Sequence, residues 1–143
     1  MVGLRQDVSL DQLNAAGKDY LPGYLGVEVV SLAEGRLESR MVLQPQHFAP
    51  NQFLHAASIV ALADTSCGYA TMAHLPEGAE SFTTIELKSN HLGTCREGAI
   101  RCVATPQHLG KTTQVWDGVV TDESTGRRIA LFRCTQMILW GRG

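Results

Sequence analysis

The chain has 143 residues, 44% of them hydrophobic and 18% charged, with a net charge of −2. That suits one globular domain over residues 1–143 and gives no basic footprint for a nucleic-acid partner. No apolar run is long enough to span a membrane, and MVGLRQDVSL has no signal-peptide core, so a cytoplasmic protein is expected. The four cysteines (Cys67, Cys95, Cys102 and Cys134) include no C-x-x-C pair. Reduced thiols are expected, with no metal centre and no cofactor.

Ser9 followed by Gln12 reads as the start of a short N-terminal helix, fading by Gly17 ahead of Pro22-Gly23. GVEVVSL, residues 26–32, predicts a strand, and Ala33-Glu34-Gly35 a hairpin turn. Leu37, Ser39, Met41 and Leu43 alternate with polar neighbours, giving a second strand. Pro45 and Pro50 bracket a loop. From His55 to about Ala73 there is no proline and one glycine, Gly68. Ile59, Leu62, Ser66, Tyr69 and Ala73 recur at helical spacing, and the opposite face is hardly more polar. A helix of that kind, over about residues 55–74, is normally wrapped by other structure. Four strands are predicted after Pro76-Glu77-Gly78: Ser81–His91, Gly98–Thr105, Thr112–Thr121 and Arg128–Leu139, with DESTG a turn between the last two. The fold class is α+β, a curved antiparallel sheet around one buried helix.

Between Met41 and Pro76 the only formally charged residue is Asp64, in the middle of that helix. A carboxylate in an apolar helix is unfavourable unless donors surround it or chemistry uses it as base or nucleophile. The alternative is a carboxylate in a solvent channel or bonded to backbone. Helical geometry sets Asp64 on a face with Val60, Cys67, Gly68 and Thr71. His55 lies two and a half turns earlier and cannot touch it. The helix N-terminus beside His55 offers unpaired N–H groups suited to an oxyanion, and the small Ala56 and Ala57 leave them approachable. His55 reads equally well as a cap. Cys67 has no basic neighbour on the helix and reads as an inert thiol. Trp116 reads as packing.

HFAPNQFLHAASIVALADTSCGYA, residues 47–70, resembles the small acyl-coenzyme A thioesterases of the hotdog fold. The branch is that of phenylacetate degradation and of enterobactin and menaquinone proofreading. Asn90-His91-Leu92, His108-Leu109-Gly110-Lys111 with Gln114-Val115-Trp116, and Arg133 with the Thr135–Leu139 strand extend the likeness across nearly the whole chain. The resemblance implies a five- or six-stranded sheet, a homodimer joined edge to edge with interfacial active sites, and a dimer of dimers. It implies an acyl-CoA substrate, aromatic or medium-chain, and coenzyme A as part of that substrate. Asp64 is then base or nucleophile, the Ala56 N–H polarises the thioester carbonyl, and His55 stands beside it. His91 and Gly68 line the substrate path, and His108, Gly110 and Lys111 stand near the coenzyme A phosphates. Outside that role, His91, His108 and Lys111 read as structural or solvated side chains.

Several positions depart from the family pattern. Gln52 stands where glycine is usual, Ala56-Ala57 replace Gly-Gly, and Gly68 occupies a place where relatives carry a hydroxyl. Thr65 or Ser66 is the substitute for that hydroxyl. Ala49 replaces an amide, for which Asn51 is the nearest substitute. Two other functions fit the resemblance: a non-catalytic acyl-CoA-binding hotdog protein, or a hotdog dehydratase or hydratase. The nine-residue spacing from His55 to Asp64 is shorter than dehydratases use, and a pure binder gains nothing from a buried charge.

Overall fold

The computed structural model describes residues 2–141. Two short helices, α1 (Leu10–Gly17) and α2 (Leu21–Leu25), precede the hairpin of β1 (Val27–Ala33) and β2 (Arg36–Val42). The long helix α3 (Ala56–Ala73) follows, and then β3 (Ala79–His91), β4 (Ala99–Leu109), β5 (Thr113–Asp122) and β6 (Arg128–Trp140). All strand pairs are antiparallel, in one sheet of order β1-β2-β4-β5-β6-β3. The sheet curves around α3, which touches all six strands. This is the expected hotdog arrangement, with six strands.

The start of α1 is the capping box read from the sequence. The Ser9 hydroxyl accepts from the Gln12 N–H, and the Gln12 side chain accepts from the Ser9 N–H. The Asn14 amide then clamps α1 to the sheet, donating to the Val29 carbonyl at 3.0 Å and accepting from its N–H at 2.8 Å. Pro22-Gly23, read as a break, instead lies inside α2. Proline in a first turn loses no helical hydrogen bond, and Gly26, at φ 80°, ends the helix in the left-handed region. The fourth strand also runs further than expected, through Pro106 to Leu109. Its pairing with β2 stops at Ala104, so Pro106 faces no neighbour on that edge and loses no ladder bond there.

Leu37, Met41, Ile59, Leu62, Ile100, Trp116 and Ile129 are fully buried between α3 and the sheet. Polar groups within this core are satisfied locally. The Ser66 hydroxyl donates to the Leu62 carbonyl and contacts the Ser39 hydroxyl. His74, which caps the C-terminus of α3, bonds the Ala70 carbonyl through Nδ1 and accepts the Gly35 N–H on Nε2 at 2.9 Å. Its own carbonyl accepts from Gln114 Nε2, whose Oε1 takes the Trp116 indole N–H. One histidine thus ties the β1–β2 turn and β5 to the end of α3.

This arrangement requires a neutral imidazole, because Nε2 must stay an acceptor. Burial holds the His74 pKa below its ordinary 6.5. The unfolded chain therefore binds more protons than the folded one below 6.5. The stabilisation is full above that value and is lost as pH falls through it towards the lowered folded value. Thermal midpoints recorded between about pH 8 and pH 5 should fall below 6.5 in the wild type. His74→Ala should be less stable by about 2 kcal/mol at the upper end, for the stranded Gly35 N–H. Its midpoint should change less with pH.

Candidate active site

The loop before α3 is held by His47. Its buried ring accepts the Gln44 N–H on Nδ1 and bonds the Leu25 carbonyl through Nε2. The His47 carbonyl accepts from the His55 N–H and the Ser58 hydroxyl. Gln52 sits in this loop at φ 73°, the left-handed conformation that glycine adopts most easily. The backbone shape that the family's glycine implies is therefore kept with a glutamine. The Asn51 carbonyl oxygen accepts from the Phe53 N–H at 3.2 Å, on an exposed side chain that shapes the loop.

His55 is the N-cap of α3, and its Nδ1 accepts the Ala57 N–H at 2.9 Å. The His55 carbonyl takes the N–H groups of Ser58 and Ile59. Among the described residues nothing accepts from the Ala56 N–H. One donor of the first turn is thus left free, with the positive end of the helix dipole behind it. The replacement of glycine by alanine does not remove it. Ala56 lines a cavity of about 320 Å3 with Phe53, Leu54, Ile59, His91 and Arg127. The structure therefore brings together Ala56 and His91, which lie 35 positions apart in the sequence.

Asp64 lies two turns further along α3 and is partly buried. One carboxylate oxygen, Oδ1, is fully buried without a hydrogen-bond partner, and burial raises the Asp64 pKa. No cation pairs with it among the described residues. The ion pairs lie elsewhere, as in the chain Glu38–Arg101–Glu123–Arg40 on the outer face of the sheet. Asp64 opens on a mostly apolar cavity of about 220 Å3 lined by Pro22, Thr65, Gly68, Tyr69, Met72 and Phe82. Ser66, one of two candidates for the missing hydroxyl, is buried on the core side and already bonded, so Thr65 is the one beside Asp64. At Gly68 an added Cβ would stand 3.1 Å from the Phe82 ring, so the position belongs to Phe82 packing. Cys67 is buried with its thiol pKa pushed up, by a hydrogen bond with Cys134 and by burial, which removes it as a nucleophile.

The third group of residues lies elsewhere on the molecule. His108 lies at the end of β4, and Gly110 and Lys111 in the β4–β5 turn, near the C-terminal end of α3, where Gln114 reaches the His74 carbonyl. Gly110 leaves no room for a Cβ, which would meet His108 Nε2 at 2.5 Å and the Thr113 carbonyl at 2.8 Å. Within one chain these residues are brought neither to Asp64 nor to Ala56. The sequence reading also missed Arg127, which lines the Ala56 cavity from the β5–β6 turn. Only its position after Gly126 in a turn was visible.

A family model described as the thioesterase superfamily matches residues 51–129. The chain belongs to that superfamily, a class of thioester hydrolases. It is 32% identical over 135 residues to the 1,4-dihydroxy-2-naphthoyl-CoA hydrolase of Escherichia coli (strain K12), covering 94% of this chain and 98% of that one. The proofreading thioesterase EntH of Cronobacter turicensis is 29% identical, over 94% and 97% of the two chains. A crystal structure of a mutant thioesterase from Pseudomonas aeruginosa superposes with a TM-score of 0.89 at 29% identity, over 95% and 97% of the two chains.

Because burial raises the Asp64 pKa, the folded state holds the proton more tightly than the unfolded chain, and the ionised form weakens folding near neutral pH. Asp64→Asn should therefore raise the thermal midpoint at neutral pH by about 3 °C, as roughly 1 kcal/mol does in a chain of this size. The gain should shrink as the pH is lowered through the raised value, which a pH series of melting curves reads directly.

Proposed function

We propose that the chain is a cytoplasmic acyl-CoA thioesterase that works as a homodimer. The observation that carries this reading is Asp64: a carboxylate on a buried helix, with one oxygen lacking any donor, facing a small, mostly apolar cavity. In such a place a carboxylate is a better base and nucleophile than in water. It either takes a proton from water as the water adds to the thioester carbon, or adds to that carbon itself. In both routes the C–S bond breaks and the thiolate leaves as coenzyme A; in the second, water then cleaves the mixed anhydride between the acyl group and Asp64, so that water supplies the oxygen and protons of the acid and thiol either way. The free Ala56 N–H receives the carbonyl oxygen as charge builds on it, where a single donor is worth about a hundredfold or more in rate.

Two features support the dimer. Eight residues on one helix separate Ala56 from Asp64 by about 12 Å along the axis. One carbonyl cannot touch both, so the donor of one subunit has to meet the carboxylate of the other. The strand β3 supplies the means: it is the sheet edge, 13 residues long, paired on one side to β6. Ile85 and Leu87 on it are 53% and 44% exposed. A long strand with one row of unpaired backbone groups is a template for a second chain. Two copies joined there bring their α3 helices antiparallel under one continuous sheet, with dimers pairing further into a tetramer. His91 then borders the substrate, and Lys111 with His108 and Gly110 stands where coenzyme A phosphates leave the site.

Thiol release from a panel of aromatic and medium-chain acyl-CoA esters tests the reading. The wild type should release coenzyme A, and Asp64→Asn should lose at least about a hundredfold in kcat while remaining folded. No release from any ester would remove the thioesterase reading. Full activity in Asp64→Asn would remove the role of Asp64, and hydration of an enoyl thioester without thiol release would point to a hydratase.

A further inference from the structure

The cavity beside Asp64 carries a polar group that the proposed hydrolysis does not use. Strand β3 forms one wall of it, with Phe82 and Thr84 on the face turned to α3. Thr84 stands opposite Gln136 of β6, and its hydroxyl donates to Gln136 Oε1 at 2.7 Å. Gln136 is fully buried, and among the described residues nothing accepts from its Nε2. Cys134 and Ile138, on either side of it along the same face of β6, are buried too, so an apolar residue would suit the position better. Among the described residues the amide makes one hydrogen bond, and that bond is to the hydroxyl at the cavity wall.

The other two hydroxyls at this cavity are placed differently. Thr65 adjoins Asp64 on α3, at the reacting end. Tyr69 sends its hydroxyl towards Gly17 of α1, where a Cβ would collide with it. Thr84 is thus the hydroxyl on the sheet side, beside the apolar Phe82. A hydroxyl that gives its hydrogen to a fixed carbonyl oxygen keeps only its lone pairs for a ligand and acts as an acceptor. On a mostly apolar wall, such an acceptor separates a ligand that donates a hydrogen bond from one of similar shape that cannot. The cavity, of about 220 Å3, lies below the range that drug-sized ligands fill and suits a single substituted ring. We propose that Thr84 is a specificity residue for acyl groups whose hydroxyl or amine donates to its oxygen, and that Gln136 is the positioning residue that orients it. The inference rests on the thioesterase reading above and adds the chemistry of the acyl group held in the Asp64 cavity.

Steady-state kcat/KM for 3- and 4-hydroxybenzoyl-CoA tests it, each compared with the methoxybenzoyl-CoA of the same substitution. The ether has a similar electronic effect on the thioester but no hydrogen to donate. The wild type should favour at least one hydroxyl isomer over its ether by about tenfold, the worth of one hydrogen bond. Thr84→Val, of the same shape, should abolish that preference, and Thr84→Ser should keep most of it. Gln136→Leu and Gln136→Met, which keep bulk and remove the amide, should each lose part of it by freeing the hydroxyl to turn. Tyr69→Phe should leave the preference as in the wild type. A preference that survives Thr84→Val, or that falls in Tyr69→Phe instead, would overturn the assignment of Thr84. A full preference in a folded Gln136 variant would overturn the positioning role. Thr84 lies on the free edge of the sheet, so Thr84→Val decides the specificity even where the Gln136 variants do not fold. A wild type inert towards every thioester would remove the hydrolase reading and the inference with it. Hydrolysis of hydroxyl and ether esters alike would overturn the inference alone.

Discussion

Helix α3 is wrapped by the sheet, and its geometry governs the candidate site. Its first turn carries a free N–H at Ala56, and two turns later it carries a carboxylate whose Oδ1 has no partner. Both groups suit one reaction, yet the rise of the helix keeps them about 12 Å apart. Neither can bend towards the other, because the sheet packs around the helix from β1 to β6. The exposed edge at β3 and the two separate cavities, one at each group, are the features on which the proposed two-copy site rests.

The same helix shows how function and stability pull apart. Its two ends are built for stability. His55 caps one with an imidazole nitrogen, and His74 caps the other and gathers Gly35, Gln114 and Trp116 around it. His47 fixes the loop that delivers the chain to the first turn. Asp64 does the opposite, since its burial raises its pKa and leaves an oxygen unsatisfied. A group that weakens the fold at its centre, in a molecule whose other buried polar groups are mostly bonded, is what the proposed chemistry at Asp64 accounts for. Gln52, held at a positive φ in the loop before the helix, is a second place where local preference yields to the shape of the site.

Much of this was legible in the sequence because it rests on local rules. The Ser9–Gln12 cap, the proline-free run of α3 and the alternation in β2 each write one structural period into adjacent residues. Asp64 stood out for the same reason, as one charge in 36 residues. The features that escaped depend on contacts far apart in the chain. Pro22-Gly23 reads as a break until the two are seen to fall in a first turn. Pro106 ends a strand in most contexts, and is tolerated here only because β2 stops short of it. His74 reads as the end of a helix, and its bond to Gly35 spans 39 residues. Arg127 meets Gly93 across the sheet edge, a pairing with no local signature.

Complementation between two inactive variants tests the division of labour most directly. Ala56→Pro removes only the first N–H of α3, since proline suits the first helical position and His55 already has the extended backbone that precedes it. Asp64→Asn removes the carboxylate. Each homodimer should be inactive, and mixing the unfolded chains and refolding them together should restore about a quarter of wild-type thioesterase activity, because half the dimers then carry one intact site. A mixture as inactive as its parents would contradict the account, and would mean that each chain uses its own carboxylate with its own helix terminus.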